Sequence, residues 1–228
     1  MIARRTRVKI CGITDAAHGE AAARAGADAI GLVFWEGTPR RVAADRAAAI
    51  VAALPPFVSV VGLFVDPQPA QVRAALAAVP LDLLQFHGSE PADLCRSFGR
   101  PYLKAIAIAA GTEESGLLEC ASRYPDAAGL LFDAPPARGL PGGTGRTFEW
   151  AALSPRVRER LARPIVLSGG LHAGNVGAAI RAVRPWAVDV SSGVEATGED
   201  GRPVKGVKDP ARIAVFIEEV RNADARSA

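Results

Sequence analysis

The sequence predicts a single-domain α/β fold over residues 1–228, a (β/α)8 TIM barrel, and three observations lead there. Short β-branched and aliphatic runs alternate with alanine-rich helical segments, the pattern of parallel strands joined by crossover helices. Eight such units can be counted, the number that closes a barrel. No linker, composition shift or low-complexity stretch divides the chain, and 228 residues with 49% hydrophobic content suffice for one sizeable core.

In order, the strand candidates are VKICGI near 8, AIGLVF near 31, SVVGLFV near 61, LLQFHG near 85, YLKAIAI near 104, GLLFDA near 131, PIVLSGG near 166 and AVDVSSG near 189. Each precedes a loop and a helix. Asp15, Asp66 with Pro67, Ser89 with Glu90, and Thr112 with its two following glutamates read as N-caps or first turns. The last helix is the clearest. Asp209 offers a capping carboxylate, Pro210 suits the first helical position, and ARIAVFIEEV continues at helical spacing. Two long loops interrupt the rhythm, APPARGLPGGTGRTFEW after the sixth strand and EATGEDGRPVKGVKD after the eighth, and long loops on a compact barrel are usually functional.

Composition narrows the partners. The 27 basic and 24 acidic residues give a formal charge of +3 but are scattered, with no cluster beyond a short RRTR, so no nucleic-acid partner is expected. Cys11, Cys95 and Cys120 are odd in number and far apart, which gives neither a disulfide framework nor a metal or redox pair and fits a reducing cytoplasm. No stretch approaches the roughly 20 apolar residues that span a bilayer, so no membrane partner is expected. His18, His87 and His172 are too dispersed for a metal site, and no GxGxxG opens a helix, so neither metal nor nucleotide cofactor is expected. The chain alone leaves monomer and homodimer open.

Alternation along each strand groups the unusual residues on the inner face: Lys9 with Cys11, Gln85 with His87, Leu131 with Asp133, and Asp189 with Ser191. A buried ammonium is costly unless paired, so Lys9 is expected to meet Asp189 from the neighbouring eighth strand, and it could favour a Cys11 thiolate. Packing is the ordinary role of an intracellular cysteine, and it suits Cys95 and Cys120. Cys11 differs, because active sites of such barrels lie where the strands end. Asp133 could accept local N–H bonds, but a proline and glycine run follows it, leaving a carboxyl for general acid work. Glycines after the last three strands, Gly142, Gly143, Thr144 and Gly145, then Ser168, Gly169 and Gly170, then Ser192 and Gly193, suit turns, and those after strands seven and eight lie where such barrels hold phosphate. Arg40 or Arg41 could grip a carboxylate bidentately; spacing does not choose between that and a solvated side chain. His87 could line the pocket or serve as a hydrogen-bonded structural residue, and Trp35 lies nearest the rim.

VKICGIT, TPRRV, LQFHGSE, LLFDA, GGTGRTFEW, LSGGL and DVSSGVE followed by KGVKD, in that order and spacing, resemble the phosphoribosylanthranilate isomerase family of tryptophan biosynthesis across essentially the whole chain. The resemblance implies a cofactor-free Amadori rearrangement of N-(5-phosphoribosyl)anthranilate to 1-(2-carboxyphenylamino)-1-deoxyribulose 5-phosphate. It implies Cys11 as general base, Asp133 as general acid, Arg40 on the anthranilate carboxylate, and phosphate on the backbone near Gly169, Gly170, Ser192 and Gly193. It also matches Gly142 to Gly145 with the family's mobile loop. Gln85 and His87 complete the expected substrate-binding set. Asp133 must begin protonated and Cys11 must become thiolate, two demands that oppose each other electrostatically. A phosphosugar isomerase of histidine biosynthesis and a non-catalytic phosphate-binding barrel are the rival readings. The chain departs from the family in the polar segment ATGEDGRPV, for which a lid, a subunit contact or a solvated excursion all fit, the last being the simplest.

Overall fold

The computed structural model describes residues 5–135 and 147–226. Eight parallel strands close into a barrel in sequence order: β1 (Arg7–Cys11), β2 (Ala29–Val33), β3 (Ser59–Phe64), β4 (Leu83–Phe86), β5 (Tyr102–Ala107), β6 (Gly129–Asp133), β7 (Ile165–Leu167) and β8 (Ala187–Val190). Among the described residues eight α-helices accompany them: α1 (Ala16–Ala25), α2 (Ala44–Ala52), α3 (Pro69–Ala78), α4 (Ala92–Arg96), α5 (Glu114–Ser122), α6 (Pro155–Arg160), α7 (Ala173–Val183) and α8 (Pro210–Ala225). The ring closes where β1 meets β8 in parallel, with Lys9 opposite Asp189 and Ile10 opposite Val190.

Alternation along the strands builds two cores. Outward residues such as Ile10, Ile30, Leu32, Leu84, Phe86, Leu130, Phe132 and Val188 pack against the helices in one continuous apolar layer. Inside the barrel, Leu103, Ala105, Leu131, Val166 and Ala187 form an apolar plug. Two residues further along β8, the filling turns polar: Asp189 is 4% exposed and bonds Lys9, also 4% exposed, across the β1–β8 seam with Nζ to Oδ1 at 2.8 Å. The expected pairing is therefore present. At the strand ends Cys11, Val33 and Leu63 pack with Trp35 and Val65.

Several helix signals act as expected and others act elsewhere. Asp15 caps α1 by accepting the Ala17 N–H, and Asp209 caps α8 by accepting from Ala211 and Arg212. Thr112 is not a cap: its hydroxyl donates back to the Ala109 carbonyl, and Glu113 occupies the cap position of α5 without a side-chain bond. Asp66, at φ 43°, is not a cap either, since Gln68 holds the cap position of α3 and the Asp66 carboxylate instead accepts the Ser89 N–H. Ser89 and Glu90 precede the cap residue Pro91, and Glu90 is drawn inward to a lysine. For Asp66 and Glu90 a tertiary partner outcompetes the local one, whereas Thr112 is taken by its own turn.

The segment after β8 is ordered as a hairpin whose tip, residues 199–205, is exposed to solvent. Ser192–Val194 form a 3-10 turn, then β9 (Glu195–Thr197) and β10 (Pro203–Lys208) pair as an antiparallel hairpin. The hairpin is tied down at its base, where the Thr14 hydroxyl donates to the Gly206 carbonyl and Arg212 donates to the Glu195 carbonyl.

Because Lys9 and Asp189 are each other's compensation in a buried seam, Lys9→Met is expected to destabilise the fold by about 3–5 kcal/mol. The double change Lys9→Met with Asp189→Leu should recover most of that loss. Urea denaturation of the three proteins checks this, and equal midpoints for the single variant and the unchanged chain would contradict it.

Candidate active site

Cys11 is the last residue of β1 and is 5% exposed. Its neighbour in register on β2 is Gly31, where an added Cβ would stand 2.8 Å from the Cys11 sulfur and 3.2 Å from Lys9 Cε. A bare backbone at that point leaves room for both side chains. Burial pushes the Cys11 thiol up, and the pull of Lys9 and Lys208 in the other direction does not overcome it. The sequence suggested that Lys9 would favour a thiolate. Desolvation outweighs that pull and favours the thiol. For Lys9 itself burial works against the charge, but Asp189 and Cys11 together raise its pKa and keep it an ammonium.

Asp133 is the last residue of β6, three steps round the ring from β1. Oδ1 accepts the Ala134 N–H at 2.7 Å, so the local backbone role considered for this carboxylate is real. Oδ2 remains for other work and lies 3.2 Å from His87 Nε2. Gln85, fully buried two residues before His87, places Nε2 at 2.9 Å from His87 Nδ1. With the amide donating to Nδ1, His87 carries its proton on Nε2 and presents it to Asp133. The turn after β7 packs on this pair: Gly169 has φ 83°, and a Cβ there would stand 2.6 Å from Ala134 N and 3.0 Å from Asp133 Oδ1. A cavity of about 580 Å³ opens in front, lined by Asp133, His87, Asp66, Gly88, Ser89 and Trp35 among others. Trp35 and Val65, both in its lining, pack against the cluster formed by Cys11, Val33 and Leu63.

A second cleft of about 460 Å³ lies at the ends of β7 and β8. Gly170, Leu171, His172, Ser192 and Gly193 supply its backbone wall, and Arg202 and Lys205 of the hairpin its rim. Gly193 tolerates no larger residue, because a Cβ would fall 2.0 Å from the Leu171 carbonyl oxygen. Arg40 reaches the cleft from the segment after β2 and is buried, with Nε at 2.6 Å and Nη2 at 2.9 Å from the two carboxylate oxygens of Glu195. Arg41 diverges outward to Glu36 at 3.1 Å. Gly142, Gly143, Thr144 and Gly145 lie outside the described residues.

Glu195 was not singled out by sequence reasoning. The signal lay in the motif DVSSGVE, a carboxylate just past the turn of β8 with a lysine thirteen residues on. Glu195 also accepts the Gly206 N–H at 2.9 Å and Lys208 Nζ at 3.3 Å. Burial alone would raise its pKa, but the bonds from Arg40, the Lys208 charge and the Gly206 N–H outweigh burial and hold it low. Lys208, with no exposed side chain, also donates to the Ser191 carbonyl at 2.9 Å and hydroxyl at 3.2 Å. Burial lowers its pKa to about 8, against the upward pull of Glu195 and with a further downward push from Arg40.

The sequence profile of the N-(5'phosphoribosyl)anthranilate (PRA) isomerase family matches residues 8–219. The N-(5'-phosphoribosyl)anthranilate isomerase of Alcanivorax borkumensis is 53% identical over 215 residues, covering 94% of this chain and 95% of the relative. The phosphoribosyl anthranilate isomerase of Thermotoga maritima superposes with a TM-score of 0.82 at 38% identity, covering 95% of this chain and 99% of that one. A phosphoribosyl anthranilate isomerase in complex with reduced 1-(o-carboxyphenylamino)-1-deoxyribulose 5-phosphate superposes with a TM-score of 0.79 at 36% identity, with coverages of 95% and 99%. The chain therefore belongs to the N-(5'-phosphoribosyl)anthranilate isomerase family, enzymes of tryptophan biosynthesis that convert N-(5'-phosphoribosyl)anthranilate to 1-(2-carboxyphenylamino)-1-deoxyribulose 5-phosphate.

Proposed function

We propose that the isomerisation runs between Asp133 and Cys11 across the cavity at the strand ends. The reaction needs an acid for the ribose ring oxygen and a base for the proton on C2. Asp133 gives its proton to the ring oxygen as the bond from that oxygen to C1 breaks, and the nitrogen lone pair forms the C1–N double bond. Cys11, as thiolate, then takes the C2 proton, and the electrons of that C–H bond neutralise the iminium to give an enol. Ketonisation moves the hydroxyl proton off O2 and places one on C1, completing the aldose to ketose shift. The observation that carries this reading is one cavity whose wall holds the Asp133–His87 pair and whose apolar lining, Trp35 and Val65, packs against the strand-end cluster of Cys11, Val33 and Leu63.

The ends of the substrate fit the rest of the site. Backbone at Gly170, Ser192 and Gly193, which line the second cleft, is proposed to take the phosphate, with Lys205 and Arg202 adding positive charge at the rim; Gly169, expected to join them, packs on Asp133 instead. Arg40 is proposed to receive the anthranilate carboxylate through the N–H groups that Glu195 does not hold. Glu195 fixes the guanidinium plane but cancels its charge, so attraction for a carboxylate depends on the second cation, Lys208. Two cations and one carboxylate leave this cluster with one net positive charge. Gln85 acts through His87, which it orients, so its expected substrate-binding role becomes an indirect one. Three free cysteines accord with a reducing cytoplasm.

Cys11→Ser and Asp133→Asn are each expected to lower kcat with N-(5'-phosphoribosyl)anthranilate by at least about 100-fold while KM stays within a few-fold. Steady-state kinetics with the histidine-pathway aminoaldose as control checks both roles; near-normal turnover by either variant removes that residue from the reaction. A pH dependence follows from Lys208, whose charged neighbours are Glu195 and Arg40 and whose titratable neighbour is Cys11. As pH rises through about 8, Lys208 loses its proton and the cluster its net charge, so the Kd of a reduced product analogue should increase. Lys208→Met should bind more weakly at pH 7 and show a flatter profile. Titration calorimetry from pH 6.5 to 9.5 measures this, and a profile in the variant that parallels the unchanged chain would refute the assignment.

A further inference from the structure

Glu90 and Lys104 form a buried ion pair that takes no part in the chemistry above. Lys104 lies between Leu103 and Ala105, both inside the barrel, so its own side chain leaves the barrel toward α4. Nζ to Glu90 Oε2 is 2.8 Å, and the two side chains are 3% and 0% exposed. Nζ also donates to the Gly88 carbonyl at 2.6 Å and the Phe86 carbonyl at 3.3 Å. Three bonds match the three N–H groups an ammonium has.

All of those acceptors belong to residues 86–90, the turn that carries His87. Glu90 completes the hold from the other side, with Oε1 accepting Asp66 N–H at 2.9 Å and both oxygens accepting Gly88 N–H at 3.0 Å. Asp66 Oδ1 in turn accepts the Ser89 N–H at 2.7 Å, and Tyr124 donates its hydroxyl to the Glu90 carbonyl at 2.9 Å. Gly88 leaves no slack, since a Cβ there would lie 2.5 Å from an Asp66 oxygen. The residues on either side of His87 are thus fixed through backbone atoms, and the ring they hold stands 3.2 Å from Asp133.

We infer that the Glu90–Lys104 pair is a positioning device for the acid side of the reaction, holding the turn after β4 so that the His87 ring meets Asp133. This rests on Asp133 being the acid. A buried pair that served stability alone could be exchanged for apolar side chains without harm. A positioning pair cannot, because apolar side chains would pack but would not hold the Gly88 and Phe86 backbone.

The test is the double variant Glu90→Leu with Lys104→Met, beside Glu90→Gln and Asp133→Asn, in the full chain. The double variant is expected to unfold within a few degrees of the unchanged protein and to keep KM within about threefold. Its kcat should fall at least tenfold. The chain has three histidines, so the ring nitrogen signals of His87 can be followed by NMR, and they should move in Glu90→Gln. That second measurement decides the matter if the double variant does not fold. Unchanged kcat in a folded double variant, or unmoved His87 signals in Glu90→Gln, would overturn the inference. If Asp133→Asn itself retained kcat, the acid assignment would fail instead, whatever the other variants did.

Discussion

Everything at the catalytic end of this barrel depends on one constraint: charges sealed from water must be held by opposite charges. The Lys9–Asp189 bond is its first expression. It crosses the seam where β1 and β8 close the ring, and it puts an ammonium inside the barrel two residues before Cys11. Without Asp189 the ammonium could not remain charged there; without Lys9 the sulfur would sit near an uncompensated carboxylate. Closure of the fold and the electrostatics around Cys11, the proposed base, are therefore the same interaction. Lys104 with Glu90, and Arg40 and Lys208 with Glu195, repeat the solution at other points of the rim.

Arg40 and its neighbours show why the solution suits a binding site. A buried arginine with no carboxylate would be costly and free to change rotamer. Glu195 removes both problems by a two-point bond, which fixes the plane of the fork and leaves its remaining donors aimed in one direction. The hairpin β9–β10 gains a structural reason as well. Its base supplies the Gly206 N–H and the Lys208 ammonium that satisfy Glu195, so the polar segment that departs from the family pattern extends from a stem anchored in this cluster.

What the sequence made legible were features set by period and by strand position. Parity alone paired Lys9 with Asp189 and Gln85 with His87, because a strand offers only two faces and one of them is the barrel interior. The end of β1 marked Cys11 and the end of β6 marked Asp133 for the same reason. Residues whose partners come from another unit were not legible. Asp66 and Glu90 carry the chemistry of helix caps, and nothing local says that Ser89 N–H and Lys104 will outbid the helices beside them. Arg40 and Arg41 are equivalent in sequence. Only the tertiary position of Glu195, far along the chain, distinguishes the buried arginine from the exposed one.

The opposed demands on the two proposed reacting groups can be met by the same distribution of charge. A proton passing from Cys11 to Asp133 leaves the pair with one negative charge before and after, so the barrel need not take up or release net charge to become active. What changes is where that charge sits. At the sulfur it is near Lys9 and Lys208, both of which favour the thiolate; burial of the sulfur from water opposes them and prevails at rest. At Asp133 it is held by the Ala134 N–H and by His87. A substrate that fills the cavity, with its ring oxygen against Asp133, gives the carboxyl proton a destination, and the negative charge left behind need only persist until the C2 proton is taken.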